Sequence, residues 1–184
     1  MTVFSAAQTA QLLKPINPAR VLLDGKRHSH VSQQDILAHL IRCFGFGAFD
    51  IDVLSTDLLY EQERANDKGV GTGRYDVCYR AMVRLTVRGP GGECHYENGS
   101  TATAQNQSRG DGHDLAYKSA ISLSVKRAAI ALGDQFGLSL YNKGQMEALV
   151  RGTLVGADPV EDVQAGVPQQ VAMGNDETER DAAA

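Results

Sequence analysis

The sequence predicts an α+β fold: a three-stranded antiparallel β-meander packed on a long helix, with an N-terminal helix and a disordered C-terminal tail. Apolar and polar residues alternate over 49–53 and 74–88, as is typical of half-buried strands, and a returning strand is expected over about 93–104 after a turn signal at 89–92. A helical apolar period runs over about 114–136. After Leu154 there is no Leu, Ile or aromatic residue, so that segment cannot bury enough apolar surface to fold.

Two helices are predicted before the sheet. Residues 5–13 favour a short helix that Pro15 ends, within an N-terminal arm of residues 1–30. A clearer helix covers residues 31–44, with Ser32 as its N-cap and Gly45 after its last turn. Its apolar stripe consists of Ile36, Leu37, Leu40 and Phe44.

Turns and loops complete the predicted domain, which we place at residues 31–153. Polar, glycine-containing segments predict loops at 61–73 and 105–112, and Gly-Pro-Gly-Gly at 89–92 predicts a tight turn. A short helix is expected at 144–151. The long helix should bury one stripe of five residues: Ile121, Val125, Ala128, Leu132 and Phe136.

The charge is unevenly distributed along the chain. The 184 residues carry a net charge of −4, from 18 bases and 22 acids. Residues 155–184 hold seven of the acids and only one base, Arg180, so the rest has 17 bases and 15 acids and a net charge of +2. We therefore assign 154–184 to an acidic tail, and a local basic surface on the remainder is compatible with a nucleic-acid partner.

Several classes of protein are excluded by composition. No apolar run approaches the roughly 20 residues that span a bilayer, so no membrane partner is expected. Three scattered cysteines do not form a disulfide framework, and residues 1–11 lack the basic region of a signal peptide. We expect a reducing compartment, the cytoplasm of a bacterial or phage-infected cell close to the nucleoid, with nucleus and mitochondrion as alternatives.

The strand at 74–88 places most of its charge on one face. Its odd-numbered residues are all apolar or aromatic, so that face must be buried. The even-numbered face has a single acid, Asp76, and four arginines: Arg74, Arg80, Arg84 and Arg88. The last three are four residues apart, an interval at which they could follow a phosphate backbone. The alternative is an ordinary solvated sheet face.

The long helix carries a second basic group. Lys118, Ser122 and Lys126 are spaced four apart and share one face, and Arg127 follows Lys126. Nearby serines would let a phosphate backbone approach closely. The alternative is that these residues are ordinary solvent-exposed charges on a helix, with no role in binding.

No group of residues predicts an enzyme, a cofactor or a metal. His28 and His30 with Asp35 could bind a metal, but a third ligand at a recognised spacing is missing. The glycines at 69, 71 and 73 lack the Lys-Ser/Thr of a phosphate-binding loop.

Both basic segments resemble the Rad52 family of single-strand annealing proteins, over roughly residues 15–143. The family's central-strand and long-helix motifs match without a gap, and looser similarities lie at 44–46 and 140–143. The matching segments are Gly73-Arg74-Tyr75-x-Val77, Ala81-Met82-Val83-Arg84-Leu85, Lys118-Ser119-Ala120-Ile121 and Lys126-Arg127-Ala128.

The resemblance implies an oligomeric ring with single-stranded DNA in a basic groove around its outside. It implies that Lys126 and Arg127 line this groove and that Arg88 belongs to a second DNA site. Two expected basic positions differ, because Ile130 and Asp35 stand there. The recombinase-loading extension of eukaryotic members is replaced by the acidic tail.

The resulting hypothesis is single-stranded DNA binding and ATP-independent annealing in recombination and repair. The predicted DNA-binding residues are Arg74, Arg80, Arg84, Arg88, Lys118, Lys126 and Arg127. Expected partners are single-stranded DNA, copies of the same chain in a ring, and a recombinase or single-strand binding protein. The alternatives are a metal-dependent nuclease acting through His28 and His30, and an adaptor that binds protein through the acidic tail. The tail itself would either compete with DNA for the basic surface or recruit a replication protein.

Overall fold

A computed structural model describes residues 2–25 and 27–153. The predicted fold class is confirmed in this part of the chain, whereas the predicted disordered tail lies outside it. The helices are α1 (Ala6–Leu12), α2 (Gln33–Phe44) and α3 (Arg109–Ala129), and the strands are β1 (Leu22–Leu23), β2 (Ser29–His30), β3 (Phe49–Ala65), β4 (Gly71–Gly89) and β5 (Gly92–Gln107). Three short 3-10 turns follow α3, at Ile130–Leu132, Asp134–Phe136 and Ser139–Tyr141.

The main sheet is antiparallel in the order β3-β4-β5, so the basic strand lies at its centre. Two predicted loops are largely wrong, because β3 and β4 extend the hairpin to Ala65 and Gly71, and β5 continues to Gln107. The added residues are polar because the hairpin end is exposed, and they gain cross-strand contacts such as Arg64 Nε to Asp76 Oδ1 at 2.7 Å. Polarity therefore marks exposure here, and it does not mark the end of a strand.

The apolar face of β4 packs against α3, as the alternation predicts. Val83, Leu85 and Val87 are fully buried, together with Val125 and Ala128 of the helix. Each fully buried Val or Leu side chain contributes roughly 1.5–3 kcal/mol. Small residues let the helix approach the sheet closely: buried Ser124 donates from Oγ to the Ala81 carbonyl at 2.9 Å.

Helix α3 differs from its predicted bounds at both ends. It begins at Arg109 because Ser108 caps it, accepting the Asp111 N–H at 3.3 Å, and this removes most of the predicted loop 105–112. It ends at Ala129, and the predicted stripe continues through the 3-10 turns, where Phe136 is fully buried. Gly133 adopts φ of +102°, which breaks the helical path that the apolar spacing alone predicted as far as Phe136.

The N-terminal arm packs onto the domain. Ile16 belongs to the core, and the Phe4 and Phe44 rings lie 5.1 Å apart. Arg20 binds the carboxylate of Asp35 on α2 at 2.7 Å. Helix α2 has the predicted cap, since Ser32 Oγ accepts the Asp35 N–H at 3.1 Å.

The segment after Tyr141 is not a helix, so the predicted helix at 144–151 is wrong. A side chain from an earlier turn binds its backbone: the Val150 N–H donates to Asp134 Oδ2 at 3.0 Å. Gly144 has φ of +75°, and a Cβ added there would lie 3.1 Å from Ser29 Oγ. The segment therefore follows the surface next to β2.

Candidate nucleic-acid interface

The predicted basic residues lie on two different sides of the sheet. Odd-numbered residues of β4 face α3, so Arg80, Arg84 and Arg88 project from the opposite, solvent-exposed face. Lys126 and Arg127 belong to the last turn of α3, on the helix side of the sheet. A single strand of DNA contacting both groups would have to pass around an edge of the sheet.

Carboxylates from the two neighbouring strands neutralise the strand arginines. Arg80 binds Asp57 of β3 at 3.0 Å, and Arg84 binds Glu97 of β5. Arg88 binds Asp50 of β3 and lies 3.6 Å from Glu93 of β5. Each of these arginine side chains keeps about half of its surface exposed, but its charge is already compensated.

Strand register explains this compensation. Residues directly opposite in an antiparallel pair lie on the same face. The partners of β4 on the solvent-exposed face therefore include Asp52, which is opposite Arg84, and Asp50, which is opposite Thr86. Five carboxylates share this face with the three arginines: Asp50, Asp52, Asp57, Glu93 and Glu97. The alternation within one strand showed only Asp76, which in fact pairs with Arg64.

Arg74 and Lys118 are separate from both groups. Arg74 is exposed near the β3–β4 hairpin end, and within the described ranges it has no ion pair. Lys118 pairs with Asp114 one helical turn away. The seven predicted residues thus do not form one continuous surface.

Lys126 and Arg127 line a cavity of about 460 Å³. Its walls are the C-terminal end of α3, the β1–β2 hairpin and the turns that follow α3. Over residues 2–25 and 27–153 neither cation has an ion pair. Lys126 is half-buried and Arg127 is exposed. Burial lowers the pKa of the Lys126 ammonium, because it disfavours the charged form.

The hairpin contributes polar groups that the sequence did not place beside α3. His28 and His30 line the cavity, as does Asp24, which accepts the His28 N–H at 2.8 Å through Oδ1. The basic composition of this arm was visible in the sequence, but its position next to Lys126, about a hundred residues later, was not. Among the described residues that line the cavity, Asp24 is the one acid.

Apart from Ser29 and Ser100, the remaining lining is apolar or aromatic or is glycine. Ile130, at the position where the family resemblance implies a base, contributes its aliphatic side chain to the cavity, with Leu123 and Leu140. Tyr141 also lines it and is 66% exposed. The cavity therefore combines a cationic edge with apolar surface, which suits a ligand with a phosphate and a flat ring.

The alternative metal site at His28 and His30 gains little from Asp35. Arg20 holds the Asp35 carboxylate through three hydrogen bonds of 2.7–3.1 Å. In the described part of the chain, no three His, Cys, Asp or Glu side chains cluster as metal ligands would.

The helices described here are all too short or too polar to cross a membrane.

Residues 7–152 match the model of the Rad52/22 family of double-strand break repair proteins, which covers most of the chain. The chain therefore belongs to the Rad52/22 family, which associates it with DNA recombination and repair. No curated protein sequence matches the chain.

Proposed function

We propose that this protein binds single-stranded DNA and anneals complementary strands without ATP, as a homo-oligomeric ring and without enzymatic activity. The observation that carries the proposal is the pair Lys126 and Arg127, adjacent cations at the cavity that lack an ion pair among the described residues. Family membership supports the DNA substrate.

Partial burial makes Lys126 a better phosphate site than a fully exposed lysine, and the exposed Arg127 lies next to it in sequence. Salt screens charges at the surface with a Debye length of about 8 Å at physiological ionic strength, and it screens partly buried charges less. A desolvated ammonium without a carboxylate partner gains more from an incoming phosphate than one already neutralised. We therefore place the main backbone contact at Lys126 and Arg127, with the strand arginines secondary.

The position of the glycine-rich segment supports annealing without ATP. Gly69 lies in the turn between β3 and β4, and Gly71 and Gly73 lie in the first residues of β4. A phosphate-binding loop instead joins a strand to the N-terminus of a helix, where free backbone N–H groups can surround the phosphates.

Self-association is supported by the edge strand β3. Register shifts occur at Val53/Ser55 and Leu58/Tyr60, and the strand exposes a row of apolar side chains beside them. These residues are Val53, Leu54, Leu58, Leu59 and Tyr60, each 44–47% exposed. Long exposed edges with apolar side chains favour pairing with another chain, so a second copy would cover this strand.

The test combines binding and annealing. Binding of a labelled single-stranded oligonucleotide, followed by fluorescence anisotropy, should weaken steeply with salt, with a slope of about −0.7 per phosphate contacted. Two complementary labelled strands should anneal faster with the protein, in EDTA and without nucleotide. Native mass spectrometry should show a closed multimer.

Other outcomes would identify the alternatives. Binding that does not depend on salt contradicts a phosphate contact. Cleavage of the oligonucleotide after addition of Mg²⁺ or Mn²⁺ would indicate the nuclease. A chain that binds no DNA, with or without residues 155–184, would indicate the adaptor.

A further inference from the structure

An exposed aromatic ring lies in the same cavity as the two cations. Tyr141 is 66% exposed, and in residues 2–25 and 27–153 no hydrogen bond or ring contact engages its side chain. The other exposed tyrosines have partners: Tyr117 packs edge-on against Tyr79 at 5.6 Å, and the Tyr60 hydroxyl lies 3.5 Å from Thr103 Oγ1. The ring of Tyr141 is thus available to a ligand.

The backbone that carries Tyr141 is fixed. Ser139–Tyr141 is a 3-10 turn, and its neighbour Leu140 is 7% exposed in the core. The Asn142 N–H donates to the Ser139 carbonyl at 2.9 Å, and the Gly144 N–H donates to the Leu140 carbonyl at 2.9 Å. A ring held in this way binds at a lower conformational-entropy cost than one on a flexible loop.

The surroundings suit a nucleobase. Leu123, Ile130 and Leu140 offer apolar surface within the cavity, and Lys126 and Arg127 carry positive charge in the same cavity. A nucleotide has both parts, since its phosphate is anionic and its base has flat apolar faces. Ile130 is important here because a cation at that position would replace apolar surface with charge.

We propose that Tyr141 stacks on one base of the bound single strand while Lys126 and Arg127 hold a phosphate beside it. Each protomer then removes one base from the line of bases presented for pairing. The proposal rests on the proposed single-strand binding. Because every base has a π-face, this contact adds affinity without sequence selectivity.

The experiment measures the affinity of the full-length protein for two probes: an oligothymidine and an abasic deoxyribose-phosphate strand of equal length. Tyr141→Ala should bind oligothymidine roughly tenfold more weakly, the loss typical of one stacked base. It should bind the abasic strand as the unaltered protein does. Tyr141→Phe should retain both affinities, because stacking needs the ring and not the hydroxyl.

Phe46→Ala provides the matched control. Among the described residues, Phe46 has the most exposed large apolar side chain, at 89%, and it does not line the cavity, so its removal should leave both affinities unchanged. Photocrosslinking gives a direct readout. A 5-iodouracil base in the strand should crosslink to Tyr141, and the crosslink should be lost in Tyr141→Ala.

The outcomes separate the two proposals. If Tyr141→Ala loses affinity equally for both probes, or keeps its affinity for oligothymidine, stacking is overturned and single-strand binding still stands. If the unaltered protein binds neither probe, the proposed function itself fails. Circular dichroism of Tyr141→Ala checks the fold, and Tyr141→Phe with the crosslink decides the question if that variant unfolds.

Discussion

The exposed face of β4 and the cavity beside α3 are both basic in sequence, but of the two, only the cavity has cations without an ion pair among the described residues. Arg80, Arg84 and Arg88 have carboxylates on the neighbouring strands. Lys126 and Arg127 have no ion pair in the described ranges. The number of cations on one strand therefore does not determine the electrostatic potential of its face, because carboxylates on the neighbouring strands also contribute to it.

The largest expected effect comes from removing the uncompensated pair. Lys126→Ala with Arg127→Ala should weaken single-stranded DNA binding about 100-fold at low salt, since each charged contact contributes about 1.5 kcal/mol. The slope of log affinity against log salt should fall in magnitude by about 1.4, the value for two phosphate contacts. Anisotropy titrations across a salt series measure both.

The control removes two cations elsewhere. Lys14→Ala with Lys68→Ala changes the net charge equally at exposed positions that do not line the cavity. If this control loses as much affinity as the cavity variant, net charge and not the cavity explains the binding.

The acids of residues 155–184 could compensate the positive charge of the cavity. Residues 155–184 contain seven acids and one base. If they compete with DNA, deleting them should raise affinity about fivefold at low salt, and the gain should shrink as salt screens it. The gain should be absent when Lys126 and Arg127 are already alanine.

A full-length variant with the seven acids changed to their amides is the matched control, because it keeps the length of the chain. It should reproduce the deletion. An affinity unchanged by both variants excludes competition and favours a role of this segment in binding another protein.

The main architecture was predictable because burial imposes periodicity. The alternation over 74–88 correctly predicted which side of β4 is buried, and the period in α3 predicted Val125 and Ala128 in the core. The end of that helix was not predictable from the same signal. Phe136 is buried whether the chain is α-helical or turns at Gly133, so its apolar character could not distinguish the two.

The candidate site was predictable only in part. Spacing and the family resemblance identified Lys126 and Arg127, but the compensation of the arginines depends on a register interrupted by three irregularities in β3. The pairing of Arg80 with Asp57 is set by these shifts, which a single sequence does not reveal. Likewise, only folding brings His28, His30 and Tyr141 beside Lys126.

The smallest expected effect concerns the strand face, and it tests the comparison most directly. Arg80→Ala with Arg84→Ala should weaken binding only about twofold, alike for every DNA sequence, because each arginine already shares its charge with a carboxylate. Stability should change little, since exposed ion pairs contribute about 0–1 kcal/mol.

The reciprocal change removes the acids and leaves the arginines. Asp57→Asn with Glu97→Gln preserves side-chain shape and should raise affinity two- to threefold, because two arginines become available to phosphate. The same anisotropy titration measures both variants. If carboxylates weaken DNA binding at this face, the affinity should fall in the arginine variant and rise in the carboxylate variant. A loss from Arg80→Ala with Arg84→Ala as large as that of the cavity variant would instead make β4 the principal DNA contact, with its acids displaced when DNA binds.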